Sequence, residues 1–561
     1  MKMYDCVPGL EFDESLDFQI SPAWFLDGTH SVPPWTPMFG WFWTNFCRHG
    51  MQYGAEKLSL PTVKGWDWRF KDGGAYLALL FVKTPEERKA REERFRETIK
   101  PFINDFTGMW NGFRDELLAM YEPVKTIDLD KATSTEQLET FEKIIAACRR
   151  MWEIHMYLMY GTYTAFVLFE NMTRQMFGFD DTHRDFHALT SGFDNKSFQI
   201  DKALLELAKK AKAMGLDEVF RSNAAGEMRK ALQTAASGPS FLKEFDAFMA
   251  DEAGWRLERM AEINVPTWAE DPTPAFNMIK MSLEKGINYN LDEERKKREV
   301  ERAETEKRLM EKVPPEQRGW FKMILGVAQN SAMFSEEHNH YCELMCHSLI
   351  RRTLLGMGRR WVASGAIDSV DDMFFLFPDE VRKGGINPDM FNFRPIVDRR
   401  KAEWKGWVER GNPPAFMAEG FTLEDAMKGL VESMDPIALK VVVGSMPVAR
   451  PELKADLFGV CGSPGVAEGI VKVVWTEAEL SKVEKGDILV APTTSPSWTP
   501  VFNILGGVIV DRGASLSHAA IVGREFGIPV VMNTFTGTNV LKDGMKVRVD
   551  ANMGTVFILN K

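Results

Sequence analysis

Polar and apolar positions change rhythm near residue 450. Before it, apolar residues recur at helical spacing. Ile144, Cys148, Trp152, His155, Leu158 and Met159 fall on one such pattern. The helix start Thr133-Ser134-Thr135-Glu136 precedes them, with a carboxylate three residues after a capping hydroxyl. Leu291 to Lys312 is dense in charge and predicts a solvated helix, broken by Pro314-Pro315. Another helical run extends from about Trp320 through Trp361 to Ser364-Gly365, followed by the acidic turn Asp368 to Asp372. After residue 450 the pattern shortens to apolar, mostly β-branched runs punctuated by Gly and Pro. Strands are predicted at Ile470 to Val474, Asp487 to Val490, Val508 to Val510, Val530 to Met532, Lys546 to Val549 and Val556 to Leu559. One helix follows His518, closed by Gly527 with Pro529 just beyond. Gly444 to Leu457, interrupted by Pro447 and Pro451, reads as a linker. The expected architecture is multidomain. A large, mainly α-helical N-terminal domain (1–445) joins through a linker (446–457) to a small C-terminal α/β domain (458–561).

Composition narrows the function classes. A chain of 561 residues with net charge −11 does not offer the basic surface that nucleic acid or an anionic membrane requires. Met1 to Leu10 lacks a basic start and an apolar core, and no run of eighteen apolar residues occurs. Six cysteines without paired Cys-x-x-Cys motifs fit free thiols in a reducing cytoplasm. Cys342 and Cys346 beside His347 do not complete a zinc set, so buried helix thiols and no metal site are expected.

The candidate chemistry centres on His518, which alone among the nine histidines lies in the last two hundred residues. It sits where a small, polar loop opened by Gly513 enters a helix. Free N–H groups and the positive end of the helix dipole there favour a bound anion, such as a phosphoryl group carried on nitrogen. An imidazole is a competent nucleophile and leaving group near neutral pH. Arg524 lies on the same helix.

The surrounding motifs resemble the swivelling phosphohistidine domain of the phosphoenolpyruvate-utilising enzymes. That family includes phosphoenolpyruvate synthase, pyruvate phosphate dikinase, rifampicin phosphotransferase and phenylphosphate synthase. The resemblance rests on five ordered pieces: Gly462 to Gly469, Gly486 to Pro500, Gly507 to Gly513, the pair Ser517-His518, and Val549-Asp550. Two departures stand out. Ala514 replaces a usual Gly and restricts the loop. Leu516 replaces a Thr and removes a hydroxyl that some relatives use for regulatory phosphorylation. The resemblance implies that His518 is the phosphoryl carrier. Gly513, Ser515, Ser517 and Arg524 would then surround the phosphoryl group. It also brings the loop of Thr494 and Ser497 beside the histidine, as phosphoryl donors or as ordinary turn formers. Glu336 to Val381 is similar to the segment before this domain in rifampicin phosphotransferase. Asp27 to His30 with Pro33 to Pro37 resembles an N-terminal segment of phenylphosphate synthase-like subunits.

No Gly-rich phosphate loop with acidic metal ligands appears in the N-terminal half, and no phosphoenolpyruvate-binding barrel is expected after the histidine domain. The chain alone is therefore expected neither to bind ATP tightly nor to use phosphoenolpyruvate. A separate ATP-grasp subunit, holding ATP and Mg²⁺, would load His518. Fourteen of the sixteen tryptophans precede residue 450, which suits a small aromatic hydroxyl acceptor as well as a plain helical core. His30, Trp35 and Glu336 are the acceptor-binding candidates. His338 and His340 are the candidate bases for a phenol's proton, in Glu336-Glu-His-Asn-His340. The expectation is a cytoplasmic, phenylphosphate synthase-like phosphotransferase subunit. Transfer to a non-phenolic alcohol, or a noncatalytic phosphocarrier, are the alternatives.

Overall fold

The computed structural model describes residues 24–560 apart from 29, 180–182, 258, 260, 287–289, 412, 415, 417–419, 421–424, 426–427, 429–438, 441–450, 495–497 and 514. By internal contacts the chain divides into two units. The first comprises Met1–Thr164, Arg259–Val265 and Tyr341–Leu439; the second comprises Ala165–Glu258, Pro266–His340 and Lys440–Lys561. Residues 446–450 of the predicted linker lie outside the described residues. Among the described residues, no helix is long and apolar enough to cross a membrane.

The first unit is mainly helical, with long helices such as Lys100–Thr126 and Met345–Ser364. It also holds a small antiparallel sheet that helical periodicity did not reveal. Strands β1 (Phe25–Leu26), β2 (Val63–Lys71) and β3 (Gly74–Phe81) lie in the order β1-β3-β2. Asp72 and Gly73 turn the β2–β3 hairpin, both at positive φ (50° and 87°). That conformation matches the right-handed twist of paired strands, which is why Asp-Gly favours hairpins. Trp35, Trp110, Trp152 and Trp361 are fully buried here. Trp43 packs against Trp35 and Trp152 at ring separations of 5.3 and 4.9 Å. These rings fill a core, the plainer of the two roles the tryptophan excess allowed.

The second unit joins a helical half to the C-terminal sheet. Its helices include α1 (Lys196–Ala213), α2 (Leu291–Lys312) and α3 (Arg318–His338). Helix α2 has the bounds its charge pattern predicted and fully buries only Thr305 and Leu309. Leu204, Phe220, Phe241, Phe245 and Phe276 belong to one apolar cluster of the helical half.

The C-terminal strands are β4 (Leu457–Phe458), β5 (Val460–Ser463), β6 (Val466–Val473), β7 (Ile488–Ala491), β8 (Gly507–Val510), β9 (Val530–Met532), β10 (Lys546–Asp550) and β11 (Thr555–Ile558). They form one sheet in the order β4-β11-β10-β6-β7-β8-β9-β5. The central run β6-β7-β8-β9 is parallel and its flanks are antiparallel. Leu489, Val508, Val510 and Val530 pack on one face, and Ile488, Val490, Ile509 and Val531 on the other. Burial on both faces explains why these strands read as continuous apolar runs instead of alternating ones. Helix α4 (His518–Phe526) covers the first face. Gly523 lets it approach: a Cβ there would lie 2.3 Å from Val530 Cγ2. Gly527, at φ 67°, ends the helix in the left-handed conformation.

Candidate active site

His518 is the first residue of α4, preceded by Ser517 in extended conformation. It is buried, with 7% of its surface exposed. A threonine hydroxyl meets each ring nitrogen: Thr494 Oγ1 stands 2.8 Å from Nδ1, and Thr499 Oγ1 stands 3.2 Å from Nε2. Phe502 presents its ring edge-on at 5.8 Å. Burial, and next the nearby Arg256 cation, push the imidazole down to about 3. The ring is therefore neutral at physiological pH, the form a nitrogen nucleophile needs.

Beyond Thr499 the contacts continue into the helical half of the unit. Asp201 of α1 takes a hydrogen bond from the Thr499 hydroxyl and a 3.2 Å hydrogen bond from Arg256 Nη2. Burial raises Asp201 to about 6, with Arg256 opposing. Arg256 is itself buried, and its Nη1 has no hydrogen-bond partner among the described residues. Thr499, Asp201, Glu336, Arg295 and Glu525 line a cavity of about 40 Å³. At about 10–15 Å³ per water, that is room for a few small groups. Glu336 is 1% exposed, and neither carboxylate oxygen has a partner in hydrogen-bond geometry among the described residues. Burial raises it to about 7, aided by the Asp201 and Glu525 charges and opposed by the Ser197 hydroxyl and Arg256.

A buried neutral imidazole at a helix N-terminus, under the influence of a buried cation, has the chemistry to hold an anionic group on nitrogen. Residues 483–554 match the family described as the PEP-utilising enzyme, mobile domain. The C-terminal sheet region carries this match and is similar to such a mobile domain. Residues 153–336 match the rifampicin phosphotransferase fourth domain, upstream of the segment whose motifs suggested that likeness. The chain is 24% identical to the "Uncharacterized phosphotransferase YvkC" of Bacillus subtilis over 97% of its own length and 63% of the relative's. It is 24% identical to a rifampicin phosphotransferase of Bacillus cereus, covering 56% of this chain and 34% of that one. The probable phosphoenolpyruvate synthase of Archaeoglobus fulgidus is 48% identical over 19% of this chain and 14% of its own. The chain thus spans less than two thirds of the length of these relatives.

Within the mobile domain, the other motif residues shape the loop that carries the histidine. Arg524 donates to the carbonyls of Ser515 and Gly462, tying the loop to β5. Gly513 N–H donates to Asn533 Oδ1, and the Ser517 hydroxyl faces Met532 Sδ at 3.4 Å. Ser497 and Ala514 lie outside the described residues. Of the hydroxyl-rich loop, Thr494 and Thr499 reach the imidazole. Composition pointed to that loop but not to Thr499.

His338 and His340 are both buried. His338 Nδ1 is 3.0 Å from its own helix's Phe334 carbonyl, and burial lowers it to about 4. Burial, then Lys196 and Arg256, lower His340 to about 3. Neither lines the cavity, whereas Glu336 does. His30 and Trp35 belong to the first unit. There Asp27 holds His30 Nδ1 at 2.8 Å, and the Trp35 indole donates to the His30 carbonyl at 2.7 Å. Burial alone would lower His30; Asp27 and then Glu343 outweigh it, and the net shift is upward. Cys342 and Cys346 are buried free thiols. Asp201, Arg256 and Glu525 carried no signal in the sequence, because nothing local distinguishes them from surface charges.

Proposed function

We propose that this chain is a phosphotransferase of the phosphoenolpyruvate-utilising type, in which His518 carries a phosphoryl group to a hydroxyl acceptor. The observation that carries the reading is His518 itself: buried, neutral, at the head of α4, with a threonine hydroxyl at each ring nitrogen, one of them (Thr499) on the wall of a small cavity. In-line transfer from nitrogen to oxygen needs positioning and charge stabilisation more than covalent help, and Arg256 supplies a buried cation beside the ring. A separate ATP-grasp subunit, with ATP and Mg²⁺, would load His518 and release AMP and phosphate. The acceptor would be phenol-like, as in phenylphosphate synthase, in a cytoplasmic complex. Family resemblance supports these finer points, and the relatives named rifampicin phosphotransferase support a small-molecule acceptor.

The test combines the chain with a candidate ATP-grasp subunit and β-labelled ATP, and screens phenols and aliphatic alcohols. Label is expected on His518 and then on a phenol. His518→Ala should fold normally and take no label, while normal labelling of that variant would overturn the carrier assignment. Transfer only to aliphatic alcohols would move the acceptor class. Label that leaves for no hydroxyl would reduce the chain to a phosphocarrier.

A further inference from the structure

Glu336 is hard to explain as a structural residue. It stands on α3 at 1% exposure, on the wall of the cavity that Thr499 shares, with the Ser197 hydroxyl nearby but no partner of good hydrogen-bond geometry for either carboxylate oxygen among the described residues. A buried, unpartnered carboxylate is destabilising when charged, and a core position would be served better by an apolar side chain. Thr499 joins that wall to His518, its hydroxyl 3.2 Å from Nε2, and the Arg256 charge acts on the ring while its Nη1 has no hydrogen-bond partner among the described residues.

We propose that Glu336 is the proton acceptor for the attacking hydroxyl, and that its cavity is where that hydroxyl meets the phosphoryl group on His518 Nε2. The assignment rests on the carrier role of His518 proposed above. In the step, the acceptor oxygen forms the O–P bond while the Nε2–P bond breaks and its electron pair returns to the ring. With the ring's one remaining proton on Nδ1, beside the Thr494 hydroxyl, the ring leaves as neutral imidazole. The hydroxyl proton passes to Glu336, whose carboxylate becomes a carboxylic acid. The Arg256 charge, which acts on both His518 and Glu336, would offset the charge on the transferring group. Glu336, raised to about 7, takes up and releases a proton near neutrality. His338 and His340, at about 4 and 3, are far weaker bases and do not line the cavity. The substrate class that needs such a base is a hydroxyl that arrives un-ionised, as in phenol itself.

The experiment follows label from phosphorylated His518 to phenol and to 4-nitrophenol, the second assayed where it is ionised. Glu336→Gln is expected to slow transfer to phenol by roughly a hundredfold to ten-thousandfold, the usual worth of general-base help. It should leave the labelling of His518 and transfer to nitrophenolate close to wild type. Glu336→Asp should recover part of the phenol rate. Wild-type transfer to phenol by the Gln variant overturns the assignment. So does an equal loss with both acceptors, which marks a structural role. A phenol-selective loss in His338→Ala or His340→Ala, with Glu336→Gln unaffected, returns the base to the histidines. Should the Gln variant fail to load, the same comparison on Glu336→Asp decides. If the wild type loads and transfers to no hydroxyl, the carrier-enzyme reading has failed and this assignment with it.

Discussion

A carboxyl group placed like Glu336 weakens the fold whenever it is charged. Its value of about 7 lies above the ordinary 4.5, so the folded chain holds this proton more tightly than the unfolded chain does. The associated stability is fully present below about pH 4.5 and is lost as pH rises through about 7. Glu336→Gln cannot ionise. It is expected to match the wild type near pH 4 and to exceed it at pH 8 by roughly 2–3 kcal/mol, read from urea midpoints. A gap independent of pH would show that no buried charge is involved. At this scale the sequence was informative where chemistry is local. His518 is framed by Gly513 and Gly527, and its neighbours announce a loop entering a helix. Arg256 and Asp201 are 55 positions apart and meet only because the fold brings them together. Glu336 was visible as part of a charged, histidine-bearing helix segment. Which member of that segment faces the cavity depends on helix rotation, which a mixed pattern does not specify.

Helix α4 is held in place by what it lacks as much as by what it buries. Gly523 lies against Val530 of β9 and Ser463 of β5, where a Cβ would approach to 2.3 and 3.2 Å. Gly523→Ala should therefore push the helix off the sheet, at the 1–3 kcal/mol typical of overpacking. A lowered melting temperature together with slower labelling of His518 is the expected result. An unchanged melting temperature would mean that the contact relaxes freely. The strands beneath were legible because burial on both faces leaves uninterrupted runs such as Ile488–Ala491. The β2–β3 hairpin was missed for the complementary reason. Its aromatic residues fit a helical core equally well, and only Asp72-Gly73 marked the turn.

At the scale of the molecule, the mobile domain is seated on the helical half of its unit by a few polar contacts. Glu525 of α4 accepts the Gly192 N–H at 2.6 Å. Arg298 of α2 donates to the Glu525 carbonyl. Ser335 of α3 donates to the Leu516 carbonyl at 2.6 Å. With the Thr499–Asp201 hydrogen bond, these contacts would have to open and re-form in the proposed loading by a second subunit. Glu525→Ala should slow delivery from His518 by about tenfold, the equivalent of one hydrogen bond of about 1.4 kcal/mol. Loading from ATP should be unaffected or faster. Equal slowing of both half-reactions would argue against separate stations. The enclosure of His518 has a consequence for time as well as for place. A nitrogen–phosphorus bond decays in water, yet this one would form on a ring with 7% of its surface exposed, beside a space holding only a few small molecules. Seated and loaded, the protein would act as a reservoir. It would keep the energy drawn from the nucleotide through intervals when acceptor is scarce, and lose little of it to hydrolysis between turnovers.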